Sequence, residues 1–208
     1  MLSIRNLHII YNGKDVLTDF SLHVDDGEVV CLRGESGCGK TSVLRAVLGF
    51  IDYGGTIALD GEQMTERNTG LLRQRMSYVP QEFVMPHETV TEMVASVMDL
   101  NANCRTAYTK DSLLKEWGQL GLDSTIFNKL TSELSGGQRQ RIMLSICGMQ
   151  EKRLLLVDEP TSALDTDTTR LVAEYVTRLA RQKRMAVLAV THSDVFADMC
   201  DKKVSFSV

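Results

Sequence analysis

The sequence predicts an α/β fold: a mostly parallel sheet flanked by helices, preceded by antiparallel strands and interrupted by a helical insertion. Three observations carry this. The chain begins with short β-type apolar runs separated by turn residues. A glycine-rich stretch lies between an apolar run and an amphipathic helix, and beyond residue 137 helix and strand patterns alternate to the end.

The elements follow in order. Leu2 to Ile10, the turn Tyr11-Asn12-Gly13-Lys14, Val16 to Val24, the turn Asp25-Asp26-Gly27 and Glu28 to Arg33 read as antiparallel strands leading into a buried one. Thr41 to Phe50 places Val43, Leu44, Val47 and Leu48 on one helical face before the break at Gly54-Gly55. Strands return at Thr56 to Leu59 and Met76 to Val79. From Thr89 to Leu120 the period becomes helical, with Val90, Met93, Val94, Val97 and Met98 on one stripe and Leu113, Leu114, Trp117 and Leu120 on another. The alternating part comprises a helix over Gly137 to Gln150, a strand over Leu154 to Val157, a helix over Thr166 to Gln182, a strand over Ala186 to Val190 and a last strand near Val204 to Ser207.

With 208 residues the chain suits one domain. Lys and Arg number 23 against 27 Asp and Glu, so no basic excess points to a nucleic-acid partner. Cys31, Cys38, Cys104, Cys147 and Cys200 show no paired spacing, which argues against a zinc site or disulfide framework and fits a reducing compartment. No apolar run approaches the ~18 residues that span a bilayer, and the first residues lack the apolar core of a signal peptide.

Chemistry concentrates first in Gly34-Glu35-Ser36-Gly37-Cys38-Gly39-Lys40-Thr41, followed by Ser42, a phosphate-loop pattern in its required strand-to-helix setting. Glycines let backbone N–H groups converge on phosphate oxygens, the helix adds its positive end, Lys40 neutralises charge, and the Thr41 hydroxyl suits Mg²⁺. Cys38 sits at that helix start, a setting that favours a reactive thiol, so alkylation is expected to inhibit and nucleotide to protect. The second concentration is Leu154-Leu155-Leu156-Val157-Asp158-Glu159, an apolar strand ending in two carboxylates. Asp158 suits Mg²⁺ binding, and Glu159 suits orienting or deprotonating an attacking water.

Leu134-Ser135-Gly136-Gly137-Gln138 narrows the family, because it spells the signature of the ABC ATPases, which the chain resembles over nearly its whole length. The resemblance implies a P-loop NTPase (RecA-like) core over 1–81 and 139–208, an antiparallel β subdomain and an inserted helical subdomain over 82–138. It implies ATP and Mg²⁺, with each nucleotide held between the phosphate loop of one subunit and Ser135, Gly136, Gly137 and Gln138 of another. By the same resemblance Tyr11 stacks on adenine, Gln81 touches Mg²⁺ or the water, Asp165 lines the dimer interface and His192 bonds the γ-phosphate. Phe83, Val84 and Met85 fall where the family meets its membrane partner. One departure stands out: where the family carries Arg-Ala and then a helix-ending proline, this chain has Leu144-Ser145-Ile146-Cys147-Gly148-Met149-Gln150.

The function expected is an ATPase subunit with no room after its last strand for a C-terminal regulatory domain, paired as a homodimer on an integral membrane permease carried by a separate chain. Its place would be cytoplasmic, peripheral on the inner face of the cell membrane. Compactness and a loose likeness of residues 122–165 to small metal-export ATPases lean towards an exporter. The alternative class, a soluble ABC ATPase of DNA repair or translation, predicts long coiled-coil insertions or tandem cassettes, and neither occurs. An ordinary P-loop kinase leaves Leu134 to Gln138 and His192 without a role.

Overall fold

The computed structural model describes residues 1–11, 13–82, 89–98 and 109–206. Its elements are β1 (Leu2–Tyr11), β2 (Lys14–Val24), β3 (Val29–Arg33), α1 (Lys40–Val47), β4 (Gly54–Leu59), β5 (Glu62–Gln63), α2 (Thr69–Arg73), β6 (Met76–Val79), α3 (Val90–Met98), α4 (Lys110–Gln119), α5 (Gly136–Met149), β7 (Leu154–Asp158), α6 (Thr166–Lys183), β8 (Ala186–Val190), α7 (Asp194–Ala197) and β9 (Lys202–Ser205). Short 3₁₀ turns at Ser124–Asn128 and Thr131–Glu133 lead into α5.

Two sheets result. β2-β1-β4-β5 is antiparallel, and β6-β7-β8-β3-β9 is parallel throughout. The central strands β7, β8 and β3 read as apolar runs because both faces are covered. Alternate residues divide between two cores. Val29, Cys31, Leu155, Val157, Val187 and Ala189 face a cluster that includes Trp117 and Ile142, while Val30, Leu32, Leu154, Leu156, Ala186 and Leu188 face one that includes Val43, Leu44 and the antiparallel sheet.

The helical segment shares its core with the sheet. Met93, Leu113 and Trp117 belong to the same buried cluster as Ile142 and Ile146 of α5 and Leu155 and Val157 of β7. Trp117 Nε1 donates to Ser145 Oγ at 3.1 Å, and Arg141 donates to the carbonyls of Leu120 and Gly121 at 2.8 and 3.0 Å, so α4 is fastened to α5 by polar as well as apolar contacts. Ser145 and Gly148, two of the departures noted in the sequence, have packing reasons here. Ser145 is the buried acceptor for Trp117, and Gly148 leaves room for the Tyr175 ring edge.

Candidate functional site

Parallel strands deliver their C-terminal ends to one edge of a sheet, where open α/β folds place ligands. At that edge β3 runs into the glycine-rich loop, β7 ends in Asp158, and β8 leads to His192. β8 lies between β7 and β3, with Asp158 in register with Val190. Gln81 follows β6, next to β7. A cavity of about 570 Å³ collects Ser36, Gly37, Gly39, Lys40, Thr41, Ser42, Gln81, Glu159 and His192 together with Thr161, Ser162, Val190 and Ser193.

The loop is built to receive an anion. Gly39 is the N-cap of α1 with φ 94°, a conformation that favours glycine, and it supplies no side-chain cap. The helices α4, α5, α6 and α7 are capped instead by Thr109, Ser135, Asp165 and Ser193. The first N–H groups of α1 thus keep their capacity for a ligand. Lys40 lies almost buried, its Nζ donating to the carbonyls of Gly34 and Glu35 at 2.9 and 2.6 Å and to Cys38 Sγ at 3.6 Å. An ammonium held at the mouth of an uncapped helix is a preformed counter-charge for phosphate.

Thr41 Oγ1 donates to Asp158 Oδ1 at 3.1 Å, and Tyr78 Oη donates to the other carboxylate oxygen at 3.5 Å. Burial raises the proton affinity of Asp158, against the pull of those two hydroxyls. Burial, and next the negative Asp158, push the Tyr78 phenol up to about 12. A hydroxyl, one carboxylate and the Gln81 amide form an all-oxygen donor set of the kind Mg²⁺ takes when phosphate and water complete its shell. Among the described residues no group of three or more His, Cys, Asp or Glu gathers to hold a metal on its own.

Glu159 adopts φ 48°, with its N–H donating to Val190 O at 2.9 Å. Its carboxylate accepts from the His192 backbone N–H at 3.2 Å and faces His192 Nε2 at 3.2 Å. Burial raises its proton affinity; the histidine beside it works in the opposite direction. A buried carboxylate with raised proton affinity is what a general base requires.

The remaining expected residues sit apart from that cavity. Tyr11, two-thirds exposed, lines a neighbouring pocket with Val16, Arg45 and Ile51, and the two spaces share Gly37 and Ser42. Ser135 caps α5 in a reciprocal box: its Oγ accepts from Gln138 N at 3.2 Å while Gln138 Oε1 accepts from Ser135 N at 2.9 Å. Gly136 lines an adjoining cleft with Glu82, Arg139 and Ala163, which shares Gln81 and Ser162 with the first cavity, and Gly137 follows it in α5. Asp165 caps α6, accepting from Thr168 N and Oγ1 at 2.8 and 3.0 Å. Phe83, Val84 and Met85 lie outside the described residues. Sequence reasoning passed over Tyr78 and Gln140, whose side chains touch Asp158 and the Glu159 carbonyl. Only the spacing of Gln140 three residues past Gly137 on a helix aimed at the site could have marked it.

Comparison with known proteins agrees with this arrangement. The family pattern described as ABC transporter matches residues 17–162. The glutamate/aspartate import ATP-binding protein GltL of Escherichia coli is 33% identical over 210 residues, covering 99% of this chain and 86% of the relative. The methionine import ATP-binding protein MetN 1 of Pseudomonas putida is 32% identical over 97% of this chain, which spans 63% of that relative's length. An ATP-dependent lipid A-core flippase of Yersinia pestis is 32% identical over 90% of this chain, here 34% of the relative. Among solved structures, a dimeric ATP-binding cassette in a post-hydrolysis state bound to ADP and Pi superposes with a TM-score of 0.86 over 100% of this chain and 94% of its own, a likeness of fold at 23% identity. A family pattern spanning most of the chain and a relative aligned over nearly all of it lead to the same conclusion: this chain belongs to the ABC transporter family.

Proposed function

We propose that the chain binds ATP with Mg²⁺ and hydrolyses it as one of two like subunits, driving a membrane permease carried on another chain. The observation that carries this is the meeting, in one cavity, of an uncapped helix N-terminus, Lys40, the Thr41–Asp158 pair and the buried Glu159 beside His192. Tyr11 offers a ring beside the loop for adenine. The N–H groups of α1 and the Lys40 ammonium take the phosphate charge. Thr41, Asp158 and Gln81 would hold Mg²⁺, which when bound supplies positive charge to the phosphate oxygens. Glu159 takes a proton from water, the water oxygen bonds to the γ-phosphorus, and the bond to the ADP oxygen breaks, leaving ADP and phosphate. His192 holds Glu159 in place and faces the same space.

Of the signature residues, Gly136 lines a cleft that adjoins the Lys40 cavity and shares Gln81 and Ser162 with it, and in this reading a nucleotide in the first cavity meets the signature of a second subunit. Asp165 lines that contact, and the helical segment 82–138 turns its closing into movement of the permease. No helix among the described residues is long and apolar enough to cross a membrane. Importers and a flippase match at similar identity, so the similarity carries no direction of transport.

Glu159→Gln tests the chemistry. Its ATP affinity is expected to stay near that of the unaltered chain while phosphate release slows about 10²–10⁴-fold. Release at the unaltered rate would remove Glu159 from the role of base. Recovery of a multi-spanning protein with the tagged chain from solubilised membranes tests the coupling, and recovery of soluble partners alone would favour the repair or translation class.

A further inference from the structure

Gln140 lies on the second turn of α5 with only 4% of its surface exposed. Its Nε2 donates to two backbone carbonyls, that of Gln81 at 3.2 Å and that of Glu159 at 3.0 Å. Both partners accept only, which sets the amide with its nitrogen towards them. Its Oε1 is buried without a partner among the described residues. Such an orphaned oxygen is costly in a core, and an apolar side chain of the same size would avoid that cost. Stability therefore does not explain the amide; the two carbonyls it holds do.

Those carbonyls belong to the two segments that carry the reacting groups. Glu159 is a non-glycine residue at φ 48°, a conformation that persists only where the surroundings hold it. Its peptide is held on both sides: the N–H by Val190 O, and the carbonyl by Gln140 Nε2 and by Ser162 N at 3.3 Å. The Gln81 carbonyl is tied to the same nitrogen, and α5 itself begins at the signature serine.

We infer that Gln140 is a positioning residue: it locks the Gln81 segment and the Glu159 peptide to α5, so that the direction of the Glu159 carboxylate follows the position of the signature helix. A subunit that engages Ser135 from outside thereby acts on the base through one side chain. This rests on the ATPase reading of the site.

The test compares the full chain with Gln140→Leu and Gln140→Glu, with Glu159→Gln as the inactive reference. Gln140→Leu keeps the volume and loses both donors. Its melting temperature and its KM for ATP should hold, the latter within about twofold, while kcat falls about 10–100-fold through misplacement of the base. Gln140→Glu, which while ionised has no proton to donate, should be as slow as Gln140→Leu. Unchanged kcat in Gln140→Leu would overturn the inference while leaving the ATPase reading intact. So would parallel losses of melting temperature and ATP affinity in Gln140→Leu and Gln140→Glu, which would make Gln140 a packing residue. Absence of phosphate release from the unaltered chain would overturn both readings together.

Discussion

At the residue scale, the two carboxylates that end β7 are held where water is scarce. Burial raises the proton affinity of Asp158 above its ordinary value, and Thr41 and Tyr78 only partly oppose it. A group whose folded pKa is raised contributes stability below its unfolded pKa, near 3.8, and that contribution is lost as pH rises through the folded value. At neutral pH the nucleotide-free chain thus bears a buried charge that destabilises it. Asp158→Asn should stabilise the free protein at pH 7.5 by about 0.5–1 kcal/mol, or about 1–4 °C in melting temperature, with the gain shrinking as pH falls towards 3.8. Thermal unfolding of both proteins across that range checks it, and a variant less stable than the unaltered chain at neutral pH would contradict it. The same variant should lose Mg²⁺-dependent retention of ATP. Residues of this kind were legible because their types are rare in their setting: two acids after four apolar residues, and a lysine after glycines. Tyr78 and Gln140 were not, because an aromatic in a strand and an amide on a helix are ordinary there, and only the folded register brings them to Asp158 and Glu159.

At the scale of elements, long periodic segments were readable and single turns were not. The helix expected over Thr166 to Gln182 is α6 within a residue, and the strand at Ala186 to Val190 is β8. α2 and α7 escaped notice: at five and four residues they are too short to show a period, and α2 buries only Leu72. The end of α5 shows how an element can depart from its family pattern and still be specified. A Cβ at Gly148 would come within 2.4 Å of Tyr175 Oη and 2.7 Å of Leu179 Cδ1, and Tyr175 is fully buried. Gly148→Ala gains about 1 kcal/mol of helix propensity but must displace that ring, at about 2–3 kcal/mol, the upper part of the range for overpacking. The expected net loss is about 1–2 kcal/mol, read as a fall of about 3–6 °C in melting temperature. Tyr175→Phe in the same background removes the oxygen in the way and should restore most of it. A Gly148→Ala protein as stable as the unaltered one would show that α6 moves aside freely.

At the scale of the whole molecule, one chain presents two helix openings that differ in kind. The opening of α1 has no side-chain cap and faces Lys40, whereas that of α5 is capped by its own Ser135 and lines another cleft. A capped opening still offers exposed backbone and a serine hydroxyl, and the use proposed for it is to meet a nucleotide brought by a second copy. The sequence suggested both openings, but the cap and the two adjoining clefts depend on how α5 packs against β6 and α4, which no local pattern records. Ser135→Arg places a long cation on that opening. It should leave nucleotide affinity of the single subunit within about twofold and abolish the ATP-dependent dimer that Glu159→Gln otherwise accumulates, as measured by light scattering of the double variant. Ser135→Ala is the control: it loses the cap, at about 1 kcal/mol, without adding bulk or charge, and should still dimerise at higher ATP. Dimerisation of the arginine variant at the same ATP concentration as Glu159→Gln alone would mean that the α5 opening lies outside the contact between subunits, and the nucleotide would then be completed by groups of its own chain.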